Sequence, residues 1–194
     1  MFRKKGIKSS KLAANKPKSN LRIVNISCLA DFKTPLDLNY LQLFIENCKL
    51  DQSQLNTLVV KINGTTVLLF KTGKAVITGA KKRKTALDAA KLVIEQLHLW
   101  DHPEARLGKF RITNIVVSAK VNFKVDLNKF YYAHDKLCSY EVELFPGLIF
   151  KETGKVSSTI FRDGSFFCTG FSNCWKARKY TQNLYKLLYD YKIN

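Results

Sequence analysis

The strongest constraint on this chain is that it repeats itself. Asn25-Ile26 returns as Asn114-Ile115 and Asp37-Leu38 as Asp126-Leu127, each 89 residues later. Phe70, Gly73 and Thr78-Gly79 return as Phe161, Gly164 and Thr169-Gly170, each 91 residues later. The anchors keep one order and slip by only two residues, so they mark a duplication and not chance. Solenoid repeats are far shorter, about 20–50 residues. A period this long implies two halves of one pseudo-symmetric body: a tail over 1–20, a first repeat over 21–105 and a second over 106–194.

Within each half the pattern reads strand, helix, three strands, helix. Arg22–Ala30 is extended, and Leu38, Leu41, Ile45 and Cys48 follow an Asp37 cap at helical spacing. Strands over Thr57–Ile62, Thr65–Phe70 and Lys74–Thr78 are separated by Asn63-Gly64 and Thr72-Gly73, both turn signals. A helix over about Lys82–Leu97 carries Ala86, Ala90, Val93 and Leu97 on one face and Lys82, Arg83, Lys84 and Lys91 on the other. The second half repeats this with Phe110–Phe123, a helix from Asp126, strands near Leu148–Glu152, Val156–Phe161 and Gly164–Thr169, and a helix from about Asn173. On that last helix Trp175, Tyr180, Leu184 and Leu188 are expected on a common face.

The strands do not alternate cleanly. Leu68 and Phe70 fall on one face, Val67 and Leu69 on the other, and Val76 opposes Ala75 and Ile77. Two helices per half cover one face of such a sheet, so the other either lies open to a macromolecular partner or is closed by the halves sandwiching each other.

Charge narrows the partner. The net charge is +18, and the first 20 residues hold seven basic residues and no acid, leaving +11 on the remainder. Nucleic acid is the leading partner class, ahead of anionic membrane and acidic protein. No apolar run approaches the ~20 residues of a membrane span, and the basic tail lacks the apolar segment of a secretory signal. Its expected role is non-specific attraction to phosphates. Five dispersed cysteines without a CxxC pair suit reduced intracellular thiols better than disulfides or zinc. His98 and His102 have no further ligand pattern around them and read as linker residues. No phosphate-binding glycine loop, nucleophile elbow or paired catalytic carboxylate is present, so no enzyme is expected and no cofactor is implied.

One stretch is singular: Ser139-Tyr140-Glu141-Val142-Glu143-Leu144-Phe145-Pro146-Gly147-Leu148-Ile149-Phe150. Pro146 fixes φ and Gly147 tolerates positive φ, so the chain bends there. Phe145 is thereby placed at the rim of a sheet, where a large aromatic serves as a wedge.

That corner, Phe70-Lys71-Thr72-Gly73-Lys74, Thr78-Gly79-Ala80-Lys81 and the two-fold repeat resemble the TATA-box-binding protein family from about Leu21 to Lys192. The resemblance implies an α+β saddle: one curved antiparallel sheet of about ten strands, four helices on its convex face, and a DNA minor groove beneath the concave one. It implies intercalating wedges at Leu55, Phe70, Phe145 and Phe161. It implies groove contacts from Asn25, Ser27, Leu68, Val76, Thr78, Asn114, Val116, Thr159, Phe167 and Thr169. Lys61, Lys74, Lys81 and Lys151 are expected at phosphates, setting affinity and salt dependence. Glu141, Glu143 and Leu144 match the corner that family members present to general initiation factor IIB. The basic face over Lys82–Lys91 resembles a surface for regulators, and factor IIA is a further implied partner. A nuclear initiation factor, monomeric on DNA and able to pair saddle-to-saddle off it, is the implied protein.

The residues suit that chemistry. Minor-groove A·T pairs offer only acceptors, which short amides and hydroxyls meet, while G·C adds a donor that an apolar floor rejects. Kinking of the duplex by inserted apolar wedges is well established for this family. Several positions depart from its pattern: Leu55 replaces an aromatic wedge, Ser27 and Thr159 are more polar than usual, Phe167 is bulkier, Ser165 stands where a lysine is expected, and Ser172 is the counterpart of Lys81. The competing expectation is an interaction protein that keeps the factor-binding corner but has lost TATA preference.

Overall fold

The computed structural model describes residues 20–53, 56–152 and 154–193. The basic tail up to residue 19 and the proposed wedge Leu55 lie outside them. The first half runs β1 (Arg22–Asp31), α1 (Leu38–Gln42), β2 (Cys48–Asp51), β3 (Thr57–Ile62), β4 (Thr65–Phe70), β5 (Lys74–Ala80) and α2 (Arg83–Leu99). The second runs β6 (Phe110–Lys120), α3 (Leu127–Ala133), β7 (Cys138–Ser139), β8 (Leu148–Phe150), β9 (Ser157–Ile160), β10 (Ser165–Phe171) and α4 (Cys174–Tyr189). The ten strands form one antiparallel sheet in the order β2-β3-β4-β5-β1-β6-β10-β9-β8-β7. The first strand of each half pairs with the other at the centre, from Arg22↔Ser118 to Ala30↔Phe110. This pairing excludes the sandwich alternative, because the halves extend one sheet instead of stacking two.

Alternation decides which face is covered. Ile26, Cys28, Ala30, Val67, Leu69, Ala75 and Ile77 are buried, facing Ala86, Ala90, Val93 and Leu97 of α2. Ile115, Val117, Ile160, Phe166 and Cys168 are buried under Ala177, Thr181, Leu184 and Leu188 of α4. The intervening residues Leu68, Phe70, Val76 and Val116 stay only half-buried on the opposite face.

Four expectations are corrected. The helix after Asp37 keeps its cap, since the Asp37 carboxylate accepts from the Asn39 and Tyr40 amides. It ends at Gln42, however, and Asn47 at φ 53° turns the chain so that Cys48 enters an edge strand opposite Val60. Each half also has a strand beyond those read: β2, which begins where the helical spacing runs on, and β7, of two residues. On α4 the buried stripe runs through Ala177 and Thr181, and Trp175 stands 65% exposed with the Lys179 ammonium 5.2 Å from its ring centre. Gly147, finally, is not among the positive-φ glycines. Its lack of a side chain matters for a different reason, given below.

Candidate nucleic-acid interface

The centre of the uncovered face is built around two bulges. On β5, Ile77 pairs with Cys28 and Ala80 with Ile26, so Thr78 and Gly79 together oppose Ser27. On β10, Cys168 pairs with Val117 and Phe171 with Ile115, so Thr169 and Gly170 oppose Val116. A bulge leaves a backbone N–H without its ladder partner and bends the strand. Here each orphan donor finds an asparagine: Gly79 N–H donates to Asn25 Oδ1 (2.7 Å) and Gly170 N–H to Asn114 Oδ1 (2.9 Å). The glycines sit at φ 91° and 101°, which a side chain would strain.

This arrangement orients both amides. With Oδ1 committed to the bulge, Nδ2 of Asn25 points at Thr78 Oγ1 (3.2 Å) and Nδ2 of Asn114 at Thr169 Oγ1 (3.0 Å). Ser27 joins the first cluster, 3.3 Å from Thr78 Oγ1. Its counterpart Val116 has no hydroxyl to do so. Asn25, Ser27 and Thr78, and separately Asn114 and Thr169, are thus brought together as two related polar clusters at the centre of the uncovered face.

Outward from the second cluster lie three phenylalanine rings in series. Phe145 and Phe161 meet edge to face at 5.9 Å, and Phe161 and Phe167 at 6.3 Å. The Glu141–Phe145 turn closes through bonds from Leu144 N–H and Phe145 N–H to Glu141 O (3.0 and 2.9 Å). A Cβ on Gly147 would lie 2.6 Å from the Phe145 ring, 2.8 Å from Thr159 Cγ2 and 3.0 Å from the Phe161 ring. Gly147 is bare so that the Phe145 ring can fold back beside Phe161. Phe70 holds the Phe161 position in the first half, with Thr57 as its cross-strand partner.

The remaining candidates are dispersed. Lys61 on β3, Lys74 on β5, Lys81 between β5 and α2, and Lys151 just after β8 are all exposed. Leu144 is 80% exposed, with Glu141 and Glu143 exposed beside it at the corner. Ser165 has a local role: it and Lys120 both bond to Asp163, the ammonium at 2.7 Å, and together they hold the Asp163 carboxyl down at about 2. A cation at the second-half rim is thereby tied to an acid. Sequence reasoning missed Leu29 and Ser118 on the uncovered face, although the 89-residue offset from the asparagine anchors relates them. It also missed the asparagine-to-glycine bonds, which exist only because of the bulge register.

These features define a sheet-floored saddle with two quasi-equivalent halves and all its helices on one side. The family described as "Transcription factor TFIID (or TATA-binding protein, TBP)" matches residues 20–99 and 109–191. The TATA-box-binding protein of Dictyostelium discoideum is 34% identical over 171 residues, covering 87% of this chain and 83% of that protein. TATA-box-binding protein 1 of Arabidopsis thaliana is 32% identical over 171 residues, covering 87% and 85%. The solved Methanococcus jannaschii TBP shares the fold at a TM-score of 0.76 and 24% identity, over 88% of this chain and 98% of that one. The chain belongs to the TATA-box-binding protein family, a family of non-enzymatic DNA-binding transcription factors.

Proposed function

We infer that the protein is a general initiation factor that binds AT-rich promoter DNA through the minor groove and bends it. The observation that carries this reading is the pair of oriented amide–hydroxyl clusters centred on an uncovered, half-apolar sheet face. With each Oδ1 committed to a bulge and one amide N–H to a threonine, each asparagine keeps a second N–H to donate, and donors are what the acceptor-only A·T groove requires. Leu68, Val76, Val116, Thr159 and Phe167 supply the floor. Phe70, Phe145 and Phe161, together with Leu55, supply wedges that unstack base steps at a cost of about a few kcal/mol per step, offset by the wider contact that bending brings. Lys61, Lys74, Lys81 and Lys151 neutralise phosphates. The exposed Glu141–Leu144 corner offers acids beside a leucine to initiation factor IIB. Factor IIA, a nuclear site of action, a monomer on DNA and a saddle-to-saddle dimer off it complete the reading.

Thr159, Ser165 and the Lys120–Asp163 pair favour a second reading, in which the corner still recruits factors but TATA preference is lost. End-labelled fluorescence transfer on a TATA duplex and a GC-rich control, across a salt series, separates the two. The first reading expects an AT-selective, salt-sensitive rise in transfer that Phe145→Ala and Phe161→Ala both reduce. Equal, unbent binding to both duplexes overturns it and favours the second.

A further inference from the structure

The cross-strand register lays one row of three side chains across the floor of each half. In the first half the row is Leu29↔Val76↔Leu68, and every member is aliphatic. In the second it is Ser118↔Phe167↔Thr159, the same three strand positions after duplication. Two hydroxyls therefore flank an exposed ring where the first half has only hydrocarbon. Ser118 and Thr159 are half-buried, and among the described residues neither hydroxyl is engaged in a hydrogen bond, unlike Ser27, which the Thr78 cluster holds. Thr159 stands directly beside the Phe145–Phe161 pair, its methyl group against Gly147.

The difference bears on the one group that separates G·C from A·T in the minor groove, the guanine 2-amino donor. A hydrocarbon floor buries that donor without a partner, at a cost. A serine or threonine hydroxyl accepts as readily as it donates. We propose that the protein reads its duplex asymmetrically: the first half admits only A·T pairs, while the second accommodates a G·C pair through the Ser118 and Thr159 hydroxyls. These two residues are then specificity determinants for the DNA. The inference rests on the minor-groove reading above.

The test needs no knowledge of which way round the protein sits. A symmetric A·T core is compared, by fluorescence anisotropy with the full chain, with cores carrying a G·C pair walked along one arm or placed at mirror positions on both. With one G·C pair the protein turns to place it under the second half, and affinity at the tolerated position falls by no more than about threefold. With two, one must lie on the aliphatic row, and affinity falls by at least the order of tenfold typical of a disfavoured base pair. Replacing guanine by inosine, which lacks the 2-amino group, restores binding to the two-pair core. In the variant Ser118→Ala/Thr159→Val, whatever its affinity for the all-A·T core, the ratio of that affinity to the affinity for a single-G·C core widens by about tenfold. A tenfold loss from one G·C pair in the unaltered protein, or tolerance unchanged in the variant, overturns the proposal while leaving minor-groove binding standing. Equal affinity for all-A·T and all-G·C cores instead overturns the minor-groove reading, and this inference with it.

Discussion

Replacing Asn114 in two ways separates what it does for the fold from the role proposed for it on DNA. Its Oδ1 accepts from Gly170 N–H at 2.9 Å, in a bulge where that amide has no ladder partner. Asn114→Ala removes the acceptor and leaves a part-buried donor unpaired. The lost hydrogen bond, with some of the desolvation it compensated, amounts to about 1–2 kcal/mol. For a domain of this size each kcal/mol lowers Tm by about 2–4 °C, so a fall of roughly 2–8 °C is expected. Asn114→Asp keeps an acceptor for Gly170 but exchanges the amide donors for a negative charge, which the proposed anionic, acceptor-lined groove would repel. It should melt within about 2 °C of the unaltered protein, yet bind a TATA duplex at least about tenfold more weakly. Thermal unfolding by circular dichroism and anisotropy titration read the two effects independently. If Asn114→Ala melts normally, the bulge does not depend on the amide. If Asn114→Asp binds DNA unchanged, the amide donors do not face the groove.

Five other outcomes follow from particular features of the structure. Gly170→Ala forces a side chain into φ 101° with its Cβ 2.1 Å from the Lys155 carbonyl oxygen, and should cost at least about 1–3 kcal/mol in urea unfolding. Leu69→Ala, fully buried beneath α2, should cost about 2–5 kcal/mol by the same measurement. Asp163→Asn releases Lys120, so the slope of log affinity against log salt on DNA should steepen by about one. In the unaltered protein Asp163 titrates at about 2, below its ordinary value. Its contribution to stability is therefore complete above the ordinary carboxylate range and fades only as pH falls towards 2, which the acid limb of a pH–stability curve should show. Iodoacetamide should modify exposed Cys174 rapidly and spare Cys168, whose buried thiol is pushed up to about 12, until the protein unfolds; peptide mass mapping reads both.

The fold was legible where a signal recurs or has a backbone cause. The 89- and 91-residue offsets located the two halves, Asp37, Asp126 and Asn173 marked helix starts, and Asn63-Gly64 adopts the paired positive φ of a tight hairpin turn (47° and 75°). The edge strands were not legible, because the helical spacing carried through Cys48 masked the start of β2 and β7 has only two residues. Trp175 misled because a large ring outweighs Ala177 and Thr181 in a hydrophobic count, although it is those two, with Leu184 and Leu188, that α4 buries against the sheet. For the interface, the repeat anchors Asn25, Thr78, Asn114 and Thr169 identified the clustered polar residues, and the Phe-Pro-Gly corner identified the ring beside Phe161. What sequence could not give was the pairing across it. The tie between Lys120 and Asp163, and the rows through Leu29 and Ser118, depend on strand register, which no local pattern encodes.

The central pairing of β1 with β6 has a consequence for how such a chain can be cut. Each half ends on the strand that the other requires: severing the linker near residue 105 would leave Arg22–Asp31 and Phe110–Lys120 as long bare edges, self-complementary because the halves are copies. Fragments made separately should therefore find each other in solution and rebuild one continuous sheet. Either fragment alone should pair with a second copy of itself, giving a symmetric two-chain version of what the duplicated chain achieves as one.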